Sequence, residues 1–506
     1  MFSIIFLSLL ILISKVNASD LQIYFDLIDS NFDGRISNDE IIGYFSKFYE
    51  GQLTTAQANQ IIGKYRGNST NDFLTISNFC GFEKLLFSIY QPEQVHLSFT
   101  HNIQTEMFIS FVTRHRPSAD HRPVIKYGQQ ELIAIGNTTT YDIDNWKSWV
   151  HFIYIKNLDE NTKYNYQLGF IDPDNKTISH LFSDPSWAFQ TMPSNDQEEI
   201  VYIYGDMGTM MPYGFEVMKA MIDDMKSSEN QRANYVVHVG DLAYAGTGDH
   251  LESQTIWDLF VNQIEPIASQ IPYMTAVGNH EKYYNYTSYR TRFFMPSKTN
   301  PTEFERDENF YFSLETNLIQ WIFMSTEHNY TAGSRQRIFL ENLLEQYKQK
   351  WQGKERPWLI LVGHRPMYSS DKATDSGRLQ QEIEPLVINY GVDLAVWGHM
   401  HCYERTTPVQ YNNFTDREHF SADGKIYEHD AKEFNQTSPI HLVVGFGGAW
   451  IDETWSDKPQ WSQVRNQRYG FGKLFVHNKT HLEFRSTVLN KEHDDDEDQF
   501  TIIRHF

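Results

Sequence analysis

Only two cysteines, Cys80 and Cys402, occur in 506 residues. No disulfide framework can therefore hold the chain, and stability has to come from packed apolar surface and bound ions. Positive charge is also scarce: 43 Lys and Arg against 65 Asp and Glu leave a formal charge of -22 at pH 7. That balance excludes a nucleic-acid surface, which needs clustered cations to displace counterions. A site handling phosphate must then use metals rather than a basic patch. In acid the 20 histidines can bring -22 to about -2, so solubility is expected to fall with pH. Long hydrophobic runs are missing as well: no segment beyond the amino terminus has 18 uninterrupted apolar residues, so no span is expected in the mature chain. Common catalytic devices are absent too, including a G-x-S-x-G elbow, a phosphate loop ending Gly-Lys-Ser/Thr, and a second histidine four residues after His280.

The apolar stretch Phe2 to Ile13, followed by Val16-Asn17-Ala18, reads as a signal peptide over residues 1–18, removed before Ser19. The remainder is expected to be secreted or lysosomal/luminal. In that setting Asn68, Asn137, Asn175, Asn285, Asn329, Asn413, Asn435 and Asn478, each opening Asn-x-Ser/Thr, are candidate glycosylation sites. Whether Cys80 and Cys402 pair is open at this stage.

Residues 19–90 hold a dense oxygen-ligand pattern. Asp29, Asn31 and Asp33 fall at positions one, three and five, Gly34 makes the turn, Arg35 offers its carbonyl, Ser37 acts through water, and Glu40 closes the loop. With apolar segments Leu21 to Ile28 and Ile41 to Phe48 on either side, the pattern resembles an EF-hand and implies Ca(II) binding. A second copy from Gly67 to Asn78 sets Leu74 in the place of Ile36 but lacks the terminal carboxylates. It is expected to complete a small α EF-hand pair through a short β contact.

From Pro92 the texture changes to alternating apolar and polar residues with turn signals about every ten positions. Met107 to Phe111, Pro123 to Tyr127, Trp149 to Ile155, Tyr164 to Leu168 and Trp187 to Gln190 are expected strands of an all-β, fibronectin/Ig-like sandwich over 91–193. His96 and His151 fall within it as packing or surface residues. Met192 to Glu199 has linker composition. From Ile200 the pattern is strand, loop, helix, expected to continue through an α/β domain over 194–506.

Five apolar runs in this last region end in short loops: Gly205-Asp206, Gly240-Asp241-Leu242-Ala243-Tyr244, Gly278-Asn279-His280-Glu281, Gly363-His364 and Gly398-His399-Met400-His401. Runs of this kind are buried strands of a sheet whose site lies beyond their carboxyl ends. The opening glycines are expected to permit the sharp turn. Carboxylates, an amide carbonyl and imidazoles suit two first-row metals about 3.5–4 Å apart that clamp a phosphoryl group. Asp241 can bridge the two, because each carboxylate oxygen takes one ion.

The series GDMG, GDLAY, GNHE, VGHRPMY and GHMHCYER resembles the purple acid phosphatases of the metallophosphoesterase superfamily, and Gln94-Val95-His96-Leu97-Ser98 is similar to the opening of their amino-terminal β-domain. The resemblance implies a four-layer metallophosphoesterase domain. It implies Fe(III) on Asp206, Asp241, Tyr244 and His401, and Zn(II), Fe(II) or Mn(II) on Asp241, Asn279, His364 and His399. The Tyr244 phenolate is the residue that separates this family from metallophosphoesterases lacking it. The activity implied is acid phosphatase: hydrolysis of small phosphomonoesters by hydroxide generated at the metal pair, with His280 steadying the phosphoryl group or protonating the leaving oxygen. No histidine stands between His364 and His399, which makes the chain look closer to animal-type relatives than to plant-type ones.

Two other readings use the same residues. One keeps the metals but takes phosphodiesters, nucleotides or pyrophosphates. The other is a non-catalytic calcium-dependent binding protein, against which stands the presence of the expected residue type at all seven metal positions. Arg365 and Arg405 can reach phosphate or serve as ion-pair partners, and His238 reads as a satisfied core histidine.

Overall fold

Strands that alternate apolar and polar residues bury one face, and those that are apolar throughout bury both; Glu93–Ser98 and Met107–Thr113, although they belong to the alternating region, are buried along their whole length. The computed structural model describes residues 31, 33–40, 74–75 and 92–506, apart from 115–119, 145, 175, 185, 211, 228–230, 249–250, 297–308, 374–375, 435–437, 452–453, 492 and 494–495. The leader at 1–18, Asp29, Asn68, Cys80, Asn175, Asn435 and the segments flanking 31–40 lie outside the described residues. Gly34 takes the left-handed backbone that its turn requires, at φ +76°. Arg35–Ile36 pairs antiparallel with Leu74–Thr75, with Ile36 opposite Leu74.

Residues 93–190 form two antiparallel sheets. The first contains β1 (Glu93–Ser98), β2 (Met107–Thr113), β5 (Asn137–Thr139) and β6 (Trp149–Ile155) in the order β1-β2-β6-β5. The second contains β3 (Arg122–Tyr127), β4 (Leu132–Ile135), β7 (Lys163–Ile171) and β8 (Ile178–Phe182) in the order β8-β7-β3-β4, with β9 (Ala188–Gln190) also on β7. Val95, Ile109 and Ile153 of one sheet pack on Ile125, Tyr166 and Leu168 of the other. His151 is buried between Thr113 Oγ1 at 2.8 Å and Thr138 Oγ1 at 2.9 Å, a packing residue.

Beyond the sandwich come β10 (Glu199–Tyr204), α1 (Gly214–Ser227), β11 (Tyr235–His238), α2 (Gln254–Ala268), β12 (Tyr273–Thr275), α3 (Thr287–Arg292), β13 (Phe312–Glu315), β14 (Ile319–Phe323), α4 (Arg335–Trp351), β15 (Trp358–Val362), α5 (Gly377–Glu382), α6 (Glu384–Asn389) and β16 (Leu394–Trp397). β11 and β12 run parallel to β10, and β14, β15 and β16 are parallel to one another. The expectation that this rhythm continues to the carboxyl end is corrected: among the described residues no α-helix follows Asn389. Both sheets are completed instead by β17 (Tyr403–Thr406), β18 (Ile426–Asp430), β19 (Ile440–Val444), β20 (Ser462–Asn466), β21 (Gly470–Val476), β22 (His481–Val488) and β23 (Gln499–His505). The final orders are β12-β11-β10-β21-β22-β23-β18 and β13-β14-β15-β16-β19-β17-β20.

Alternation on β15 shows the layering. Ile360 and Val362 enter a core shared with the first sheet (Val201, Val237) and with α1 and α2 (Met218, Trp257), whereas Leu359 and Leu361 pack with Leu340, Leu344 and Leu386 of α4 and α6. The layers are therefore helix, sheet, sheet, helix. The two sheets are laced together where their strands end: the Gly205 N–H donates to the Val444 carbonyl at 2.8 Å, and the Gly447 N–H to the Gly205 carbonyl at 3.0 Å.

The sandwich docks through β1, which lies along α2. Buried Asp258 of α2 accepts from Arg292 Nη1 at 2.8 Å and Gln94 Nε2 at 3.0 Å, and also from the Trp146 indole at 3.0 Å. His96 sits there with its ring nitrogens 2.8 Å from the Gln94 and Arg292 carbonyls, a buried docking residue. No described helix is long and apolar enough to cross a membrane.

Candidate metal centre

Every strand that precedes a candidate loop ends at the same edge of the two sheets, so side chains as distant in sequence as Asp206 and His401 are delivered to one place. Around Asp206 Oδ1 stand Tyr244 Oη at 3.0 Å and His401 Nε2 at 3.4 Å, with Tyr244 Oη 2.7 Å from His401 Nε2 and 3.5 Å from Asp241 Oδ2. On the other side of Asp241, His364 Nε2 lies 3.1 Å from Oδ2, and one donor atom each of Asp241, His364 and His399 lie within 4.8 Å of one another. Asn279 adjoins this group through its neighbour: the His280 N–H donates to Asp241 Oδ1 at 2.8 Å. The structure thus gathers Asp206, Tyr244 and His401 beside Asp241, and His364 and His399 beside the same Asp241, with the Asn279 loop alongside.

Two buried polar atoms in this cluster lack a hydrogen-bonding partner: Asn279 Oδ1 and His364 Nε2. Although His364 Nε2 is 3.1 Å from a carboxylate oxygen, it makes no hydrogen bond of acceptable geometry there. A buried polar atom without a partner costs about 1–3 kcal/mol. A cation between these atoms would satisfy both and would also separate the crowded oxygens of Asp206, Asp241 and Tyr244. The donor set, with hard anionic oxygens on one side and imidazoles on the other, fits such ions.

Hydrogen bonds to the outer ring nitrogens orient the imidazoles. His364 Nδ1 lies 3.0 Å from the Val239 carbonyl and His401 Nδ1 lies 2.5 Å from that of Trp450, so each presents Nε2 inward. His399 is different: its Nε2 accepts from Arg365 Nη1 at 2.9 Å. Electrostatics follow from the same crowding. Burial opposes charge on His364, yet the Asp241 and Asp206 carboxylates outweigh it and lift the group to about 10. That proton stands where a cation would serve the same carboxylate. For His399, burial and then the His364 charge depress the imidazole to about 2. Burial, then Asp206 and Asp241, push the Tyr244 phenol well above its ordinary 10, so a phenolate there requires a strongly charged cation.

The reading of the opening glycines as turn formers is corrected. Of the five, only Gly240 is left-handed, at φ +94°. Asp206 (φ +59°), Asp241 (+51°), Tyr244 (+53°) and His399 (+69°) adopt the left-handed region themselves. Such strain costs about 1–3 kcal/mol per residue and is typical of functional sites. The neighbouring glycines provide space: a Cβ on Gly398 would lie 2.5 Å from Asp206 Oδ2, and one on Gly278 2.2 Å from Asp241 Oδ1.

His280 stands over the Tyr244 ring at 4.3 Å between centroids, with Nδ1 2.9 Å from the Gly246 carbonyl and Nε2 3.9 Å from Asp241 Oδ2. Arg405 is structural, paired with buried Asp498 at 2.6 and 3.0 Å. His238 is a core residue, with Nδ1 2.8 Å from Tyr273 Oη. Cys402 is buried. In the described part of the oxygen-rich loop, the Glu40 carboxylate accepts from the Ser37 N–H at 2.9 Å and Oγ at 2.8 Å, and the Asn31 side chain from the Asp33 N–H at 2.8 Å.

Three contributors were not legible in the sequence. Glu281 accepts from the Gly278, Leu242 and Asp241 N–H groups at 2.7, 2.8 and 3.0 Å, tying two metal-site loops together. Glu327 holds Arg365 at 2.7 and 3.2 Å. Trp450 acts through its carbonyl, which no side-chain pattern reveals. Only the Glu directly after Asn279-His280 gave any signal.

Three family descriptions match consecutive parts of the chain: Purple acid Phosphatase, N-terminal domain, over 92–183; Calcineurin-like phosphoesterase over 200–403; and Iron/zinc purple acid phosphatase-like protein C over 438–495. Acid phosphatase type 7 of Danio rerio is 27% identical over 82% of this chain and 91% of its own length. Probable inactive purple acid phosphatase 9 of Arabidopsis thaliana is 27% identical over 80% of this chain, which spans 65% of that protein. Among solved structures, the purple acid phosphatase PPD1 from yellow lupin (Lupinus luteus) seeds superposes with a TM-score of 0.68 at 26% identity, covering 82% of this chain and 75% of that one.

Proposed function

We propose that this chain, which belongs to the purple acid phosphatase family, hydrolyses small phosphomonoesters in acidic medium at a pair of metal ions. The observation that supports the reading is the grouping of Asp206, Tyr244 and His401 beside Asp241, His364 and His399, with the buried Asn279 Oδ1 and His364 Nε2 otherwise unpartnered. Asp206, Asp241, Tyr244 and His401 would hold Fe(III), and Asp241, Asn279, His364 and His399 a divalent ion, Zn(II), Fe(II) or Mn(II). Such a pair supplies charge neutralisation for a phosphoryl group and acidifies water. Asp241 spans the two positions. His280, with Nδ1 committed to the Gly246 carbonyl, would exchange a proton with the leaving oxygen from Nε2.

The test is a panel of monoesters, diesters and pyrophosphates at acidic and neutral pH, on protein analysed for iron and zinc. Monoester turnover favoured in acid, with broad visible absorption that Tyr244→Phe shifts or abolishes, is expected. Iron-loaded protein that turns over none of the panel would sink the reading, and preference for diesters or pyrophosphate would redirect it.

We also infer a structural Ca(II) on Asp29, Asn31, Asp33, Arg35, Ser37 and Glu40 and passage through the secretory route. In support, Gly34 is left-handed, Ile36 pairs with Leu74, and Asn137, Asn285, Asn329, Asn413 and Asn478 are exposed. Chelation with a calcium-selective reagent should lower the melting temperature and leave turnover of the surviving protein unchanged; no thermal shift would remove the calcium assignment. Loss of mass on glycosidase treatment tests the second inference, and an unmodified secreted chain would contradict it.

A further inference from the structure

Arg365 directly follows the metal-site residue His364, yet its guanidinium turns to His399: Nη1 donates to His399 Nε2 at 2.9 Å. Arginine can only donate, and a neutral imidazole has a single in-plane lone pair. A cation bound to His399 through either nitrogen therefore ends this hydrogen bond. If Nε2 takes the metal the lone pair is used, and if Nδ1 does, Nε2 carries the proton. The rest of the side chain does not depend on that contact. Nε and Nη2 remain on Glu327 at 2.7 and 3.2 Å, and the Arg365 N–H donates to Thr326 Oγ1 at 3.0 Å. Glu327 is nearly buried, whereas the Arg365 side chain is 41% exposed. The guanidinium is thus tethered from behind and open in front, beside a site built from two carboxylates, a phenol and imidazoles.

We propose that Arg365 is the phosphoryl-binding residue of the site, held on His399 until a metal takes that histidine and then presenting Nη1 to a non-bridging phosphoryl oxygen. The proposal rests on the paired-metal reading. A guanidinium suits the role because its planar fork can keep Glu327 on one edge and take an anionic oxygen on another. The consequences are two and of opposite sign. Arg365 competes with the metal for His399, and it assists phosphate once the metal is in place.

The full-length chain and Arg365→Leu are stripped of metal and titrated with Zn(II) against a chromophoric chelator; binding of inorganic phosphate to the metal-loaded proteins is then measured by calorimetry. The variant should hold its weaker Zn(II) about tenfold more tightly and bind phosphate about tenfold more weakly, the size expected for one charge-assisted hydrogen bond. Arg365→Lys, which keeps the charge without the fork, should fall between the two on both scales and serves if the leucine variant does not fold. Unchanged phosphate affinity, or weakening of metal and phosphate together, would overturn the proposal while leaving the metal pair intact. Wild-type protein that takes up no metal pair would overturn the underlying reading as well.

Discussion

Glu281 illustrates how much of the site depends on a residue that touches no ligand. Its carboxyl is lifted to about 8 by burial and by the Asp241 charge, in spite of the Leu242 and Gly278 amides that it accepts. Those bonds fix the backbone from which Asp241 and Asn279 project. Glu281→Ala leaves buried N–H groups without acceptors, at about 1–3 kcal/mol each. Its thermal unfolding midpoint should drop by several degrees and its metal content should fall, both measurable on purified protein. A variant with wild-type metal stoichiometry would show that the loops hold without it. The seven donors were legible in the sequence because each comes just after an apolar run, and a chain leaving a buried strand must present its next residues at the sheet edge. Glu281, Glu327 and the Trp450 carbonyl were not, since their partners are backbone groups or side chains distant in the chain. The Arg365 ambiguity could be settled only by seeing His399 and Glu327 at its two ends.

Elements carry the next level. The loops are strained at their donors and relieved at their glycines, so the consequence of enlarging a glycine can be read from distances. A methyl on Gly398 would meet Asp206 Oδ2 at 2.5 Å, Val239 Cγ2 at 3.1 Å and His364 Nδ1 at 3.3 Å. No flexible tip is available to yield, and overpacking of this kind costs about 1–3 kcal/mol. Gly398→Ala should therefore fold with a lowered denaturation midpoint and lose metal at a chelator concentration the parent tolerates. Equal retention of metal would mean that the Asp206 loop relaxes freely. The sandwich strands β2, β3, β6, β7 and β9 and the parallel strands β10, β11, β12, β15 and β16 were foreseeable because period-two patterns and uninterrupted apolar runs are local signals, whereas β4, β5 and β8 were not read. The carboxyl-terminal half of the sheets was not. Several of its strands find distant partners, β21 antiparallel on β10 and β18 parallel on β23, and the sequence up to β16 had already supplied a complete strand-helix rhythm to extrapolate.

For the molecule as a whole, acidity is the condition under which the proposed activity and the fold make opposing demands. Burial depresses three core histidines: His238 to about 3, His429 to about 4 and His441 to about 3, from an ordinary 6.5. Unfolded, each would take a proton as the pH falls below 6.5; folded, each stays neutral until about pH 3–4. The native state therefore binds fewer protons through that window, and their contribution to stability, complete above pH 6.5, is lost as pH falls toward the folded values. Glu199 acts in the other direction, since burial lifts its carboxyl to about 7 and the native state keeps that proton between about 7 and 4.5. Among these four groups, three histidines less one carboxyl leave a difference of about two protons, or about 1.4 kcal/mol per pH unit for each. His441 isolates one of them. Its Nδ1 accepts from the Trp397 indole at 3.0 Å and its Nε2 is buried without a partner, so nothing in the site depends on its titration. In His441→Gln the stability measured by denaturant unfolding between about pH 6.5 and 4.5 should decline less steeply, by about one proton's worth of slope. If the slope matches that of the parent, the imidazole must gain its proton in the fold, and the acid sensitivity of the core has another source.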